Sequence, residues 1–380
     1  MNTLVATLKW PASVARHLRW RSLAEAYESR VDNFLLLRFV AASMVIYAHS
    51  YAVSGIPSRG DIFLRNGWNT HAGKIAVELF FCISGFLVTA SLVRWQNTLA
   101  FLKARALRLL PAYIVCMAIS AYVIGPLVTT LPLGEYMRHP LTHSYVVANL
   151  EMRQLQWILP GVEFSNSAYH NAVNGSIWSL PLEATMYLWL ATLGLLGVYR
   201  RTWFATCTVL ALAMVCAKYW AAMPLLSANH NPQHLPYAAM FALGSLAYLH
   251  RRFIPLGHAG MLACVAFAWA THYGVLAGAS MLLVQSYFCF WFAYCLPWHG
   301  FNRFGDYSYG IYLWGFPCQQ LIVLWLGHPR PARITLLALP LALLFAIASW
   351  HLIEHPALRL KKWPILKLRF VNREGQREPI

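Results

Sequence analysis

Charged residues, and acidic ones above all, are scarce in this sequence. Only 11% of its 380 residues are charged, with 13 Asp or Glu against 30 Lys or Arg. About a quarter of the residues of a typical soluble domain are charged, so the composition excludes an ordinary soluble globular domain. The 59% hydrophobic content and the mean hydropathy of +0.48 predict instead an all-α, polytopic helix bundle in a membrane.

The excess of positive charge does not indicate a nucleic-acid-binding protein. The formal net charge is +17, but the basic residues lie between apolar runs and form no cluster on one polar surface. A nucleic-acid interface needs such a cluster, whereas basic residues between apolar segments are typical of membrane topology. We therefore expect the lipid bilayer, and no nucleic acid, as a partner.

Familiar motifs of soluble enzymes and metal sites are also missing. The sequence has no P-loop, and its eight cysteines form no C-x-x-C pair and lie in apolar runs, which indicates buried, inert thiols. The stretch "HLIEH" (351–355) matches the H-x-x-E-H zinc pattern, but it ends an apolar segment and is followed at once by Pro356. We therefore predict no metal and no permanently bound cofactor.

Ten apolar segments are long enough to cross a bilayer, which takes about 20 residues per helix. They cover approximately residues 34–54, 73–93, 110–130, 174–197, 203–222, 236–250, 257–275, 277–297, 307–327 and 334–354. The short sixth segment, and the seventh and eighth that nearly touch, leave nine or eleven spans open. Most Lys and Arg fall on one side if the N-terminus is cytoplasmic, so we predict both termini in the cytoplasm. This gives an N-terminal segment 1–33, a transmembrane domain 34–358 and a basic tail 359–380.

The first predicted span carries two ionisable side chains in "RFVAASMVIYAHSY" (38–51). Arg38 and His49 are eleven residues apart, about three helical turns, so they share one face at a separation of roughly 16 Å. Ionisable groups inside a span are costly and usually functional. A neutral imidazole can act as a general base on a hydroxyl. The alternative is a histidine at a helix end that meets interfacial water.

Two acidic residues lie well inside predicted spans. Glu183 lies in the fourth span next to Pro181, and Glu78 lies in the second span. For Glu183, a catalytic role and a structural ion pair to a neighbouring helix are both open. For Glu78, the structural role is the preferred interpretation.

Lys103, Arg105 and Arg108 precede the third predicted span. An ordinary positively charged flank explains them on spacing alone. Arg105 and Arg108 are three residues apart, however, so they share a helix face on which they could bind a phosphate together.

Several stretches, in this order, resemble the motifs of acyltransferase family 3, a family of integral membrane acyltransferases. The resemblance runs from about Asn33 to Leu360. It is carried by the Arg38–His49 pair, "VELFFCISGFLV" (77–88), the R-x-x-R of Arg105 and Arg108, "SIWSLPLEATMY" (176–187), "FGDYSYGIYLW" (304–314) and "IEHP" (353–356). One departure is Gly315, where the family often has a histidine soon after "YLW".

The resemblance implies an O-acyltransferase, most often an O-acetyltransferase, in the bacterial inner membrane. Acyl-CoA in the cytoplasm, typically acetyl-CoA, would be the donor. A hydroxyl of an extracytoplasmic or lipid-linked carbohydrate such as exopolysaccharide or O-antigen would be the acceptor. Arg38 and His49 would be the catalytic pair, with Glu183 as a further catalytic candidate, and Arg105 and Arg108 would bind the donor. A transporter or flippase of a lipid-linked sugar is the alternative function.

Overall fold

A computed structural model describes residues 21–56, 60–95, 97–225 and 231–363 as a bundle of α-helices. The one sheet among these residues is a two-stranded antiparallel pair of β1 (Arg21–Ser22) and β2 (Pro255–Leu256). The predicted all-α class is therefore confirmed. Of the predicted terminal segments 1–33 and 359–380, only residues 21–33 and 359–363 belong to the described residues; the remainder lies outside them.

Sixteen α-helices follow one another along the described chain. They are α1 (Leu23–Glu28), α2 (Phe34–Ser54), α3 (Ile62–Arg65), α4 (Ala72–Trp95), α5 (Thr98–Ile119), α6 (Gly125–Val128), α7 (Leu133–Arg138), α8 (Pro140–Glu151), α9 (Leu180–Leu195), α10 (Thr202–Tyr219), α11 (Leu235–Leu249), α12 (His258–Thr271), α13 (Ala277–Cys295), α14 (Ser308–Leu326), α15 (Pro331–Ser349) and α16 (His355–Arg359). A π-helical turn, Ser120–Ile124, continues α5, and a second one, Trp350–Glu354, continues α15. A 3-10 turn, Gly175–Ser179, leads into α9.

Six segments of the described chain are long and apolar enough to cross a membrane. They are Phe34–Ser54, Ala72–Arg94, Thr98–Val128, Thr202–Ala222, Ala277–Cys295 and Pro331–Arg359. All ten predicted spans overlap a helix, but the count of ten and the side of the termini stay predictions. The third span begins earlier than predicted, because α5 starts at Thr98 and includes the basic residues that the sequence placed in a flank.

Helix α4 lies at the centre of the bundle. In its most apolar 18-residue stretch, 78% of the residues are buried. The corresponding value is 22% for the segments that contain α10 and α15, so these two helices present most of their surface to the surroundings. Two glycines bring α4 and α11 together. A Cβ atom on Gly85 would lie 2.1 Å from the Phe241 carbonyl oxygen, and one on Gly244 would lie 2.1 Å from that of Cys82. Small residues at such crossings are the usual means of close helix packing in membranes.

The thiols are only partly as predicted. Cys82, Cys116, Cys216, Cys289 and Cys318 are buried, whereas Cys264 and Cys295 are half-buried and Cys207 is exposed. The prediction that all eight are buried is therefore wrong for three of them, because α10, α12 and the end of α13 lie nearer the surface of the bundle.

Candidate functional site

Helix α2 holds Arg38 and His49 in one unbroken helix from Phe34 to Ser54. The predicted separation of about three turns, roughly 16 Å, therefore applies. The two residues define the two ends of the site, which we call the Arg38 end and the His49 end.

At the Arg38 end, two arginines and two carboxylates form an ion-pair cluster. Arg38 and Arg108 each place a guanidinium nitrogen 2.7 Å from the same oxygen, Oδ2 of Asp306. The other guanidinium nitrogen of Arg108 lies 3.0 Å from Glu354 Oε2. Burial would raise the pKa of Asp306, but the guanidinium groups of Arg108 and Arg38 outweigh it and hold that pKa below its usual value. Four distant parts of the chain are thus joined by charge.

Local hydrogen bonds orient both carboxylates of this cluster. The Ser308 hydroxyl, at the start of α14, donates to Asp306 Oδ1 at 2.5 Å. The Ser349 hydroxyl donates to Glu354 Oε1 at 2.9 Å across the π-helical turn Trp350–Glu354. Glu354 is the acid of the H-x-x-E-H pattern, and its partners are an arginine and a serine. No group of three or more potential metal ligands exists among the described residues.

Arg105 differs from Arg108 although both lie on one face of α5. Arg105 makes no ion pair with any described residue, and its buried Nε has no hydrogen-bond partner. Its guanidinium lies 5.9 Å from the centre of the Tyr187 ring. Of the predicted donor-binding pair, Arg105 is therefore available for a ligand, whereas Arg108 is held by two carboxylates.

A cavity of about 100 Å³, which we call the arginine cavity, brings most of the predicted residues together. Arg38, Arg105, Arg108 and Glu183 all line it, together with Tyr187. Its volume corresponds to about three water molecules. Spacing along the sequence did not reveal that helices α2, α5 and α9 converge on one cavity.

Glu183 is hydrogen-bonded in this cavity and makes no ion pair with a described residue. The Tyr187 hydroxyl, one turn along α9, donates to Glu183 Oε1. The Ser84 hydroxyl of α4 lies 3.4 Å from the same oxygen and 3.0 Å from the Tyr187 hydroxyl. The structural ion pair to a neighbouring helix, which the sequence left open for Glu183, is therefore not observed within the described part of the chain.

His49 is half-buried and lies outside the arginine cavity. Its Nδ1 is 3.5 Å from the Ser176 hydroxyl, and its ring packs edge-on against Phe316 at 5.4 Å. Contact through Nδ1 leaves the other ring nitrogen, Nε2, for a substrate. The sequence had not indicated Ser176 or Phe316 as neighbours of this histidine.

Tyr312 lies between the two ends of the site. It lines the arginine cavity, and its hydroxyl donates to the Ser176 carbonyl oxygen at 2.7 Å and lies 2.6 Å from the Ser179 hydroxyl. Ser176 in turn contacts His49. Tyr312 and the 3-10 turn Gly175–Ser179 thus connect the arginine cavity with His49.

The two remaining sequence features have simple structural explanations. Glu78 Oε1 lies 3.9 Å from the Lys74 ammonium, one turn earlier on α4, in line with the structural role preferred for this residue, whereas its Oε2 has no hydrogen-bond partner among the described residues. At Gly315, where the family often has a histidine, a Cβ atom would lie 2.8 Å from Ile46 of α2. The close packing of α14 on α2 leaves no room for a larger side chain at this position.

Residues 31–351 match the profile of a protein family described as "Acyltransferase domain". An "O-acetyl transferase" of Shigella phage Sf6 is 25% identical over 336 residues, which cover 83% of this chain and 93% of that protein. "Nodulation protein 10" of Rhizobium leguminosarum bv. viciae is 28% identical over 367 residues, which cover 87% of this chain and 94% of that protein. No solved structure matches the chain significantly.

Proposed function

The chain belongs to the acyltransferase family whose profile covers residues 31–351, and from this membership we propose a specific reaction for it. The protein is a membrane O-acyltransferase that moves an acyl group, normally acetyl, from acyl-CoA to a hydroxyl of a carbohydrate. The donor is supplied from the cytoplasm, and the acceptor is extracytoplasmic or lipid-linked. The observation that carries the proposal is Arg105, a half-buried arginine without an ion-pair partner among the described residues, whose buried Nε also lacks a hydrogen bond, in a cavity with Arg38 and Glu183.

Arg105 supports the binding of a phosphorylated donor. Guanidinium groups bind phosphate through two parallel, charge-assisted hydrogen bonds. Arg108 and Arg38 already share Asp306, so in this arrangement they stabilise the positively charged wall of the cavity. Because the cavity has only about 100 Å³, it accommodates the phosphate bound by Arg105 and the adjoining end of the pantetheine arm, with the adenosine outside it.

His49 supplies the base. A proton on Nδ1 donates to the Ser176 hydroxyl, which lies 3.5 Å away, and this tautomer leaves Nε2 unprotonated. Nε2 takes the proton of the acceptor hydroxyl as its oxygen attacks the thioester carbon. The new C–O bond forms, the C–S bond breaks, and the proton passes from His49 to the leaving thiolate, which restores the neutral imidazole.

The donor must reach His49 past Tyr312. The separation along α2 is roughly 16 Å, within a hydrocarbon core about 30 Å thick. An extended pantetheine arm covers that distance, so the acyl group can arrive while the nucleotide stays at the Arg38 end. Displacement of the Tyr312 hydroxyl from Ser176 and Ser179 would open the path.

The first test uses membranes containing the protein and acetyl-CoA labelled in the acetyl group. We expect label in the glycan fraction, and none with membranes that lack the protein. Movement of unlabelled lipid-linked sugar across the membrane without transfer of label would support the transporter or flippase function instead.

The second test concerns the sides of the membrane. Oriented proteoliposomes receive acetyl-CoA on one side and acceptor glycan on the other. We expect transfer with the two on opposite sides and donor at the Arg38 end. Efficient transfer only when both are on the same side would contradict delivery through the bundle.

A further inference from the structure

A second cavity lies between the start of α4 and helices α12 and α13. We call it the α4–α13 cavity; it has a volume of about 230 Å³ and is lined by Trp68, Thr70, Lys74, Glu78, His272 and Gln285, among others. It shares none of its lining with the arginine cavity. It runs from the loop before α4, where Trp68 and Thr70 lie, to the middle of α13.

The walls of this cavity carry buried polar atoms without partners. Glu78, Thr70 and Gln285 are only 1%, 6% and 5% exposed. Glu78 Oε2, Thr70 Oγ1 and both amide atoms of Gln285 lack a hydrogen bond within the described structure. The amide of Gln285 lies beside the Glu78 carboxylate, yet no hydrogen bond of normal geometry joins them.

Such atoms need a partner. A buried donor or acceptor without a hydrogen bond costs stability, and unsatisfied groups of this kind are few in folded proteins. Four of them around one polar space indicate that something polar occupies it, either water or a ligand.

The charges in the cavity select the kind of ligand. Lys74 lies 3.9 Å from Glu78 Oε1, so its ammonium group opposes a bound cation. The Glu78 carboxylate opposes a bound anion such as phosphate. The other polar and aromatic groups of the lining are the Gln285 and Asn69 amides, the Thr70 and Ser280 hydroxyls, the His272 imidazole and the Trp68 ring. Such a set suits a neutral molecule that has several hydroxyls and one apolar face.

We propose that the α4–α13 cavity binds one neutral sugar unit of the acceptor glycan. The volume of about 230 Å³ is below the roughly 300–1,000 Å³ of sites for drug-sized ligands, which suits a single monosaccharide. Glu78 and Gln285 hydrogen-bond its hydroxyls, and Trp68 covers its apolar face. This inference rests on the proposed acyltransferase function, because that function supplies the glycan.

The start of α4 connects the cavity to the His49 end of the site. Lys74, which lines the cavity, donates its amide hydrogen to the His71 ring at 3.2 Å. Gly73 brings α4 onto α2, since a Cβ there would lie 2.8 Å from the Cβ of Ala48. A glycan unit held between α4 and α13 therefore lies one helix away from His49, where a neighbouring unit of the same chain can react.

Direct binding tests the inference without turnover. The purified full chain in lipid nanodiscs is titrated with uncharged methyl glycosides, with methyl glucuronide and inorganic phosphate as charged comparators, and binding is followed by ligand-observed magnetic resonance. We expect binding of at least one neutral glycoside, weaker by roughly tenfold in Gln285→Leu because two hydrogen bonds are lost. The matched control is Ser286→Ala, the next residue of α13, whose hydroxyl donates to the Leu283 carbonyl oxygen.

Kinetics and stability separate a binding role from a structural one. In Gln285→Leu, we expect the KM for the acceptor to rise about tenfold, with the KM for acyl-CoA unchanged. The midpoint of thermal unfolding should be unchanged or higher, because an unsatisfied buried amide is removed. A lower midpoint, or unchanged glycoside binding in Gln285→Leu, would overturn the inference, as would a wild-type protein that binds no glycoside. Glycoside binding by a wild-type protein that transfers no acyl group would leave sugar binding by the cavity standing and refute the proposed function.

Discussion

The Asp306→Asn variant tests whether the ion-pair cluster holds the Arg38 end together. Asp306 is the shared partner of Arg38 and Arg108, and both contacts are 2.7 Å long. With asparagine at this position, Arg108 keeps Glu354, whereas Arg38 keeps no ion-pair partner within the described chain. Breaking a buried pair from one side costs about 3–5 kcal/mol.

The lower end of that range applies here. The Arg38 side chain is 24% exposed, so water or lipid headgroups compensate part of the lost contact. We expect a loss of about 3 kcal/mol in the free energy of unfolding, which is a factor on the order of 100 in the folded-to-unfolded ratio. Unfolding in detergent can be followed with a thiol-reactive fluorophore, because Cys82, Cys116 and Cys289 are buried until the bundle opens.

A matched control and the pH dependence complete this test. Asp32→Asn makes the same change at the start of α2, where Asp32 Oδ1 accepts from the Phe34 amide and asparagine can do the same. The Asp32→Asn substitution should lower the free energy of unfolding by less than about 1 kcal/mol. The pKa of Asp306 is depressed in the folded state. The contribution of Asp306 to the free energy of unfolding is therefore complete above its unfolded pKa of about 3.9, and it is lost as the pH falls through the lower pKa of the folded state.

The advantage of wild type over Asp306→Asn should therefore be constant near neutral pH and shrink in strong acid. A difference below about 1 kcal/mol at neutral pH would refute the reasoning, since a buried pair with these distances should cost about 3–5 kcal/mol to break.

Predictions for four further variants concern activity. His49→Ala should abolish glycan acylation, measured with labelled acetyl-CoA, while the protein remains folded in the membrane; near-wild-type transfer would remove His49 from the mechanism. Arg105→Ala should raise the KM for acyl-CoA more than it lowers kcat, because binding contacts act on KM. Arg108→Ala should do the same and also lower stability, because Asp306 and Glu354 lose a partner; a pure kcat loss in either variant would contradict donor binding. Arg38→Lys should be strongly impaired, because an ammonium cannot reproduce the planar guanidinium, and activity within twofold of wild type would exclude a need for that geometry.

Sequence order determined much about this protein. The low charge and the apolar runs predicted an all-α membrane bundle, and all ten predicted spans overlap a helix. The spacing of Arg38 and His49 fixed their separation, because a helix repeats regularly and α2 is unbroken. Local patterns of this kind are readable because each depends on residues within one helix.

Only the tertiary structure decided which charges meet. Arg105 and Arg108 look equivalent on α5. They differ because Asp306 and Glu354, 198 and 246 residues after Arg108, form ion pairs only with Arg108. Asp306 could have been noticed in the sequence, because it is an acidic residue directly before an apolar span in a chain that has few acidic residues. The sequence does not indicate, however, which arginines it contacts.

The other contacts of the site also depend on the tertiary structure. The contact of His49 with Ser176, and the position of Tyr312 between His49 and the arginine cavity, join helices far apart in the sequence. The polar cavity between α4 and α13 likewise depends on how those helices pack. Helix periodicity specifies which side chains share a face, and it can be read directly from a single sequence. The packing of whole helices specifies which faces meet, and this is seen only in the tertiary structure.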